Sequence, residues 1–86
     1  MRTFFHKTFE KKYIKLSTKL KKQFQERKDL FLIDPYNPTF NNHPLKGRYR
    51  GSYSINVTGD IRAVYEFVNE NTVYFIDIDT HTKLYG

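Results

Sequence analysis

The chain has 86 residues, with no cysteine and no tryptophan. Fifteen Lys and Arg stand against nine Asp and Glu, a formal net charge of +6. That length allows one small domain spanning residues 1–86. The missing cysteines exclude disulfide staples and Cys-ligated metal. No stretch approaches the ~20 apolar residues of a membrane helix, and the opening MRTFFHKTFEKK lacks a signal-peptide run. The expectation is a cytoplasmic protein with no membrane partner.

The charge is unevenly placed. Nine of the fifteen basic residues fall between Lys7 and Lys28, beside only Glu10 and Glu26. From Gly51 onward there are five acids and two bases. The positive excess therefore lies on the N-terminal third and on Lys46, Arg48 and Arg50. A polyanion fits such a surface, either nucleic acid or an acidic protein. A solvated helix face accounts equally well for the N-terminal lysines.

Arg2 to Phe5 reads as a short strand. From Lys7 to Leu16, Phe9, Tyr13 and Leu16 recur at i, i+4 and i+7, which predicts a helix with one apolar stripe. Ser17 or Thr18 is a suitable N-cap for a second helix. Leu20, Phe24, Leu30 and Phe31 are expected on its inner side. The Asp34-Pro35-Tyr36-Asn37-Pro38 run ends it, because proline disfavours helical geometry just before itself. Thr39 to Leu45 is a loop or a short extended piece.

From Arg50 the period changes to two. Tyr53, Ile55 and Val57 alternate with Ser54 and Asn56. Thr58 to Asp60 forms a turn, Ile61 to Val68 a strand, Asn69 to Asn71 a second turn, and Thr72 to Asp79 a last strand. The order β-α-α-β-β-β predicts an α+β domain. Its sheet is mostly antiparallel, with a helical hairpin on one face and a short turn or helix at the C-terminus.

Strand parity assigns the other face. A three-residue loop pairs Val57 with Ile61 and sets Asn56 opposite Arg62. A two-residue loop would instead set Arg62 among core residues, at high cost. In the last strand Tyr74, Ile76 and Ile78 are expected to face the helices, and Phe75, Asp77 and Asp79 to face outward. The open face then collects Ser54, Asn56, Arg62 and Asp77. Pro44 to Arg50 borders it on one side, and His81 and Tyr85 fold over another. The plain alternative is an ordinary solvated sheet face on which Arg62 and Asp77 form an ion pair.

The segments HPLKGRYRGSY (43–53), GDIRAVY (59–65) and DTHTKLYG (79–86) carry a family pattern. They resemble the RelE/ParE superfamily of type II toxin–antitoxin toxins, with most similarity to its YafQ-type mRNA interferase branch. The resemblance implies a toxin that inhibits translation by ribosome-dependent, metal-independent cleavage of mRNA. The 2′-hydroxyl attacks the adjacent phosphate, and a 2′,3′-cyclic phosphate results. Such a step needs a proton acceptor, cationic stabilisation and a proton donor for the leaving oxygen.

The matching catalytic positions are His43, Asp60, Arg62 and His81. Arg62 takes the phosphate-clamping role, and both histidines can exchange protons near neutrality. Lys46, Arg48 and Arg50 would hold the RNA backbone, and Tyr85 would lie near a bound base. No cofactor or metal is implied. The implied partners are mRNA on the ribosome and a cognate acidic antitoxin. The free toxin would be a monomer, and with its antitoxin it would form a hetero-oligomer.

The chain departs from the YafQ pattern at Asn56, where that pattern has His, and at Asp77, where it has Arg. Asn does not exchange protons at neutral pH, and an ionised Asp repels phosphate. These departures favour a second reading: a toxin-fold protein that acts by binding to antitoxin, ribosome or a ParE-type target such as gyrase.

Overall fold

The computed structural model describes residues 1–85, apart from the side chain of Tyr85. The elements are β1 (Arg2–Phe5), α1 (Lys7–Tyr13), α2 (Thr18–Ile33), β2 (His43–Pro44), β3 (Tyr53–Asn56), β4 (Ile61–Asn69), β5 (Thr72–Thr80) and α3 (His81–Tyr85). They build one five-stranded sheet in the order β1-β5-β4-β3-β2. β1 runs parallel to β5, and the other pairs are antiparallel. The predicted α+β arrangement is therefore present, with one addition. The Thr39–Leu45 stretch contributes a two-residue edge strand, β2.

α2 starts at Ser17, whose Oγ accepts from the Leu20 backbone N–H at 3.1 Å and satisfies one of the free donors of the first turn. Phe24 and Phe31 are its fully buried residues, and Leu20 and Leu32 pack against the same core. Leu30, expected inside, is 37% exposed. At about 100° per residue, Leu30 lies roughly 80° off the line that Leu20 and Phe31 share, so the helix turns it toward solvent.

The core between helices and sheet is aromatic. Phe9, Phe24, Phe31, Phe40, Tyr65 and Phe75 are buried together with Ile55, Val57, Ala63 and Ile78. Phe24 meets Phe75 edge-on at 5.4 Å, and Phe31 meets Tyr65 edge-on at 4.8 Å. Aromatic rings bring a large buried area per residue, which an 86-residue domain needs.

β5 departs from the expected alternation. Val64 pairs with Asp77, but its neighbour Tyr65 pairs with Phe75, so Ile76 is an extra residue in the ladder. This β-bulge reverses the parity of everything before it. Val73 and Phe75 face the helices, with Ile78 beyond the bulge, whereas Ile76 joins the opposite side. Tyr74 and Ile76 were expected inward and Phe75 outward; the bulge exchanges them.

The second face of the sheet is not open throughout. Leu45, Val64 and Leu84 are buried there, and Tyr49 and Ile76 pack beside them. This small second core is built by the β2–β3 loop and by α3, which fold over the sheet from opposite sides.

Candidate functional site

The register creates one cross-strand row on the second face: His43 opposite Ser54, Ser54 opposite Val64, Val64 opposite Asp77. Two residues along lies a second row, Asn56 opposite Arg62 and Arg62 opposite Asp79. The expected pairing of Asn56 with Arg62 is thus present. The rows are about 7 Å apart along the strands. Ser54 Oγ and Asn56 Oδ1 are both buried and have no hydrogen-bond partner among the described residues.

His43 sits at the sheet edge. Its Nδ1 lies 2.8 Å from the Asn41 carbonyl oxygen. A carbonyl only accepts, so Nδ1 carries the proton and Nε2 of the neutral ring keeps a free lone pair. That tautomer suits a proton acceptor. Asn41 itself adopts a left-handed backbone, φ 47°, which turns the chain from the Pro38–Phe40 helical turn into β2.

The β3–β4 turn gathers three further candidates. Asp60 is exposed at its tip, and its carbonyl oxygen accepts the His81 N–H at 2.9 Å. That bond sets the start of α3 against the turn, so Asp60 and His81 are neighbours although far apart in sequence. Arg62 follows one residue into β4. Its Nη1 donates to the carbonyls of Thr58 and Gly59, both at 3.0 Å. The guanidinium therefore caps the turn, and its remaining N–H groups are the ones available to a ligand.

The loop from Lys46 to Gly51 carries the other basic residues. It is two tight turns in succession, closed by Arg50 N–H to Gly47 O at 3.0 Å, Ser52 N–H to Tyr49 O at 2.9 Å and Leu45 N–H to Ser52 O at 2.9 Å. Gly47 (φ 65°) and Gly51 (φ 92°) supply the positive φ angles that these turns require. Lys46, Arg48 and Arg50 are exposed along it, and Arg48 lies over the Tyr49 ring at 4.8 Å. Tyr49 turns back onto the sheet and donates its hydroxyl to Asp77 Oδ2.

Asp77 is 2% exposed. Besides Tyr49 it meets Lys12 of α1, whose Nζ is 2.8 Å from Asp77 Oδ1 and 3.1 Å from Asp79 Oδ2. The ion pair of Asp77 with Arg62, the plain alternative from the sequence, is not among the ion pairs of the described residues, and Val64 is the residue opposite Asp77. β1 ends opposite Phe75, and Lys12 serves the part of β5 that follows. This network was not legible in the sequence, because nothing local links Lys12 to the last strand. Burial works against the Lys12 ammonium, but its bonds to Asp77 and Asp79 outweigh that and raise its pKa above 10.5. Burial likewise opposes the charge on Asp79, yet the Thr80 N–H and Lys12 lower its pKa below 3.8. The Tyr49 phenol is raised by burial and by Asp77.

The structure thus brings Asp60, Arg62 and His81 together around one turn, with His43 on the same face of the sheet. Lys46, Arg48 and Arg50 line the loop that closes over it. The Tyr85 side chain lies outside the described residues. Among the described residues no group of His, Asp or Glu is placed to hold a metal ion, and no helix is long and apolar enough to cross a membrane.

No family model matches the chain, and no curated protein sequence matches it. Solved structures do. Escherichia coli YafQ superposes with a TM-score of 0.78 at 21% identity, over all of both chains. The YoeB/ParE toxin of Agrobacterium tumefaciens gives 0.77 at 18%, over 94% of this chain and 99% of that one. RelE in the archaeal RelE–RelB complex from Pyrococcus horikoshii gives 0.73 at 21%, over 92% of each. This is the RelE/ParE toxin fold. The element order expected from the sequence agrees with the architecture that this chain shares with these structures.

Proposed function

We propose that the protein is the toxin of a type II toxin–antitoxin pair and cleaves mRNA on the ribosome without a metal. The observation that carries this reading is the bond between the Asp60 carbonyl and the His81 N–H. It joins Asp60 and His81 to the Arg62 turn, on a sheet whose second face also holds His43.

In this mechanism Nε2 of His43 takes the 2′-hydroxyl proton. The hydroxyl oxygen forms the new P–O bond, and the P–O bond to the 5′-oxygen breaks. His81 donates the proton that this leaving oxygen needs. The free N–H groups of Arg62 stabilise the charge on the phosphorane, and Asp60 holds the His81 end of the site. Asn56, opposite Arg62 in the ladder, takes no proton in the step: its Oδ1 is buried, with no hydrogen-bond partner among the described residues. Lys46, Arg48 and Arg50 hold flanking phosphates, with Tyr85 near the base. Asp77 does not repel the substrate, because Lys12 and Tyr49 occupy its oxygens.

The partner is an acidic antitoxin. E. coli YafQ has been solved in a DinJ–YafQ toxin–antitoxin complex. The exposed lysines of α1 and α2 offer complementary charge to such a segment. The free protein is read as a cytoplasmic monomer.

Cleavage of mRNA on programmed ribosomes, with mapping of the new 5′ ends, tests the reading. Cuts by the wild type that His81→Ala abolishes support it. Growth arrest with intact mRNA would replace it with the second reading, a toxin that acts by binding. The engagement of Arg62 with its own turn carbonyls favours that second reading.

A further inference from the structure

His43 ends the catalytic row at the β2 edge, and there it also borders a cleft that opens on the helix side of the sheet. Its walls are Tyr36, Asn42, His43, Pro44 and Tyr53, over the buried Tyr65. Two of these are large aromatics presented to solvent: Tyr36 is 75% exposed and Tyr53 36%. Tyr53 is held flat, stacked on Tyr65 at 5.7 Å and 26°.

Tyr36 stands on a loop that its neighbours fix. Asn42 Nδ2 donates to the Pro35 carbonyl at 3.1 Å, and Asn37 Oδ1 accepts from the Thr39 N–H at 2.9 Å and from its hydroxyl at 2.8 Å. The Asn42 Oδ1 accepts the Tyr65 hydroxyl at 2.8 Å. The Asn42 amide is thus engaged at both its polar atoms, and the large exposed side chains of the cleft are the rings of Tyr36 and Tyr53.

A second cleft adjoins it, lined by Pro44, Leu45, Lys46, Gly47 and Arg50. The two share Pro44. Going along the sheet edge, exposed aromatics are followed by His43 and then by fixed cations. Single-stranded nucleic acid is held by this combination, because bases stack on rings while basic groups track the phosphates.

We propose that the Tyr36–Tyr53 cleft is a stacking subsite for one base of single-stranded RNA, next to the nucleotide whose phosphate the Lys46–Arg50 loop holds. The RNA strand then crosses the β2 edge from this cleft to the catalytic face. The inference rests on the RNA reading above and adds a subsite to it.

The test is a fluorescence titration of the full chain with a short 2′-O-methyl oligonucleotide, which lacks the attacking hydroxyl and stays intact. It carries one 2-aminopurine, placed at each position in turn. Binding of the wild type is expected to quench the probe at one position beyond the reacting pair. An abasic residue there weakens binding about tenfold. Tyr36→Leu gives the same loss and removes the quenching, with the salt dependence unchanged, while Tyr36→Phe behaves as wild type. Arg50→Gln keeps the quenching at saturation and lowers the salt slope by about 0.7.

Wild-type-like binding by Tyr36→Leu, together with indifference to the abasic residue, overturns the subsite while the Arg50→Gln loss leaves the RNA reading standing. Failure of the wild type to bind any of the oligonucleotides overturns the subsite, and cleavage on programmed ribosomes then decides the RNA reading by itself.

Discussion

Lys12 Nζ lies 2.8 Å from Asp77 Oδ1, and the carboxylate it meets is almost wholly buried. Through Asp77 the first helix, the last strand and the basic β2–β3 loop share one charged group, since Tyr49 donates to the other carboxylate oxygen. The catalytic proposal depends on that loop being held in place, so the network ties stability to activity.

Lys12→Met leaves Asp77 buried without its cation. Removal of one partner of a buried charge costs about 1–3 kcal/mol when another hydrogen bond survives. Urea unfolding at neutral pH is expected to show that loss. Lys12→Met with Asp77→Asn is expected to recover part of it, since the orphaned charge is then gone. A double variant no more stable than Lys12→Met would contradict the coupling.

The pH dependence has two limbs. Asp79 has a folded pKa below its ordinary value, so its stabilisation is present above the unfolded carboxylate range, about 3.9, and is lost as pH falls through the folded value. Lys12, Tyr49 and Tyr65 have raised folded values, Tyr65 chiefly through burial. Their contribution is complete below about pH 10 and is lost as pH rises through the folded values. Denaturant midpoints across pH are expected to fall at both ends. In Tyr49→Phe the alkaline fall is smaller. Equal alkaline limbs in wild type and variant would tell against the Tyr49 assignment.

In the cleavage assay, His43→Ala and His81→Ala are each expected to lower the rate by 10²–10⁴, the usual contribution of a general base or acid. Neither is expected to change the unfolding midpoint much, since His81 is exposed and His43 half-buried. A rate unchanged by His43→Ala would pass the base role to Asp60.

Gly51→Ala tests the loop without touching a charge. A Cβ there meets nothing within 4 Å, so the penalty is purely conformational, at φ 92°. The expected cost is about 1–2 kcal/mol, with weaker RNA binding because Arg48 and Arg50 lose their fixed position. Stability and binding at wild-type levels would show that the backbone at this turn is not constrained.

Much of this fold is legible in the residues. The change from a helical to a two-residue period marks the helical hairpin and the strands β3, β4 and β5. The three-residue turn fixes Asn56 opposite Arg62, because the alternative buries an arginine. The rest depends on contacts that no local pattern encodes. Leu45 and Leu84 are isolated apolar residues whose shared core forms only when the β2–β3 loop and α3 fold over one sheet face. The partner of Asp77 lies in the first helix. Asp60 in the β3–β4 turn and His81 at the start of α3 look unrelated until a backbone bond joins them.

The extra residue at Ile76 bears on which length changes the chain can tolerate. Strict alternation from Phe75 would send Asp77 and Asp79 into the aromatic core; the inserted position sends them to the other side. Any substitution at 76 that keeps an apolar side chain preserves this arrangement, and deletion of the residue leaves Phe75, Asp77, Ile78 and Asp79 in plain alternation, with both carboxylates still on the second face and only the Ile76 contact to the small second core lost. In an alignment of natural variants, a gap should therefore be tolerated at 76 more readily than at Ile78, whose loss would turn Asp79 toward the aromatic core.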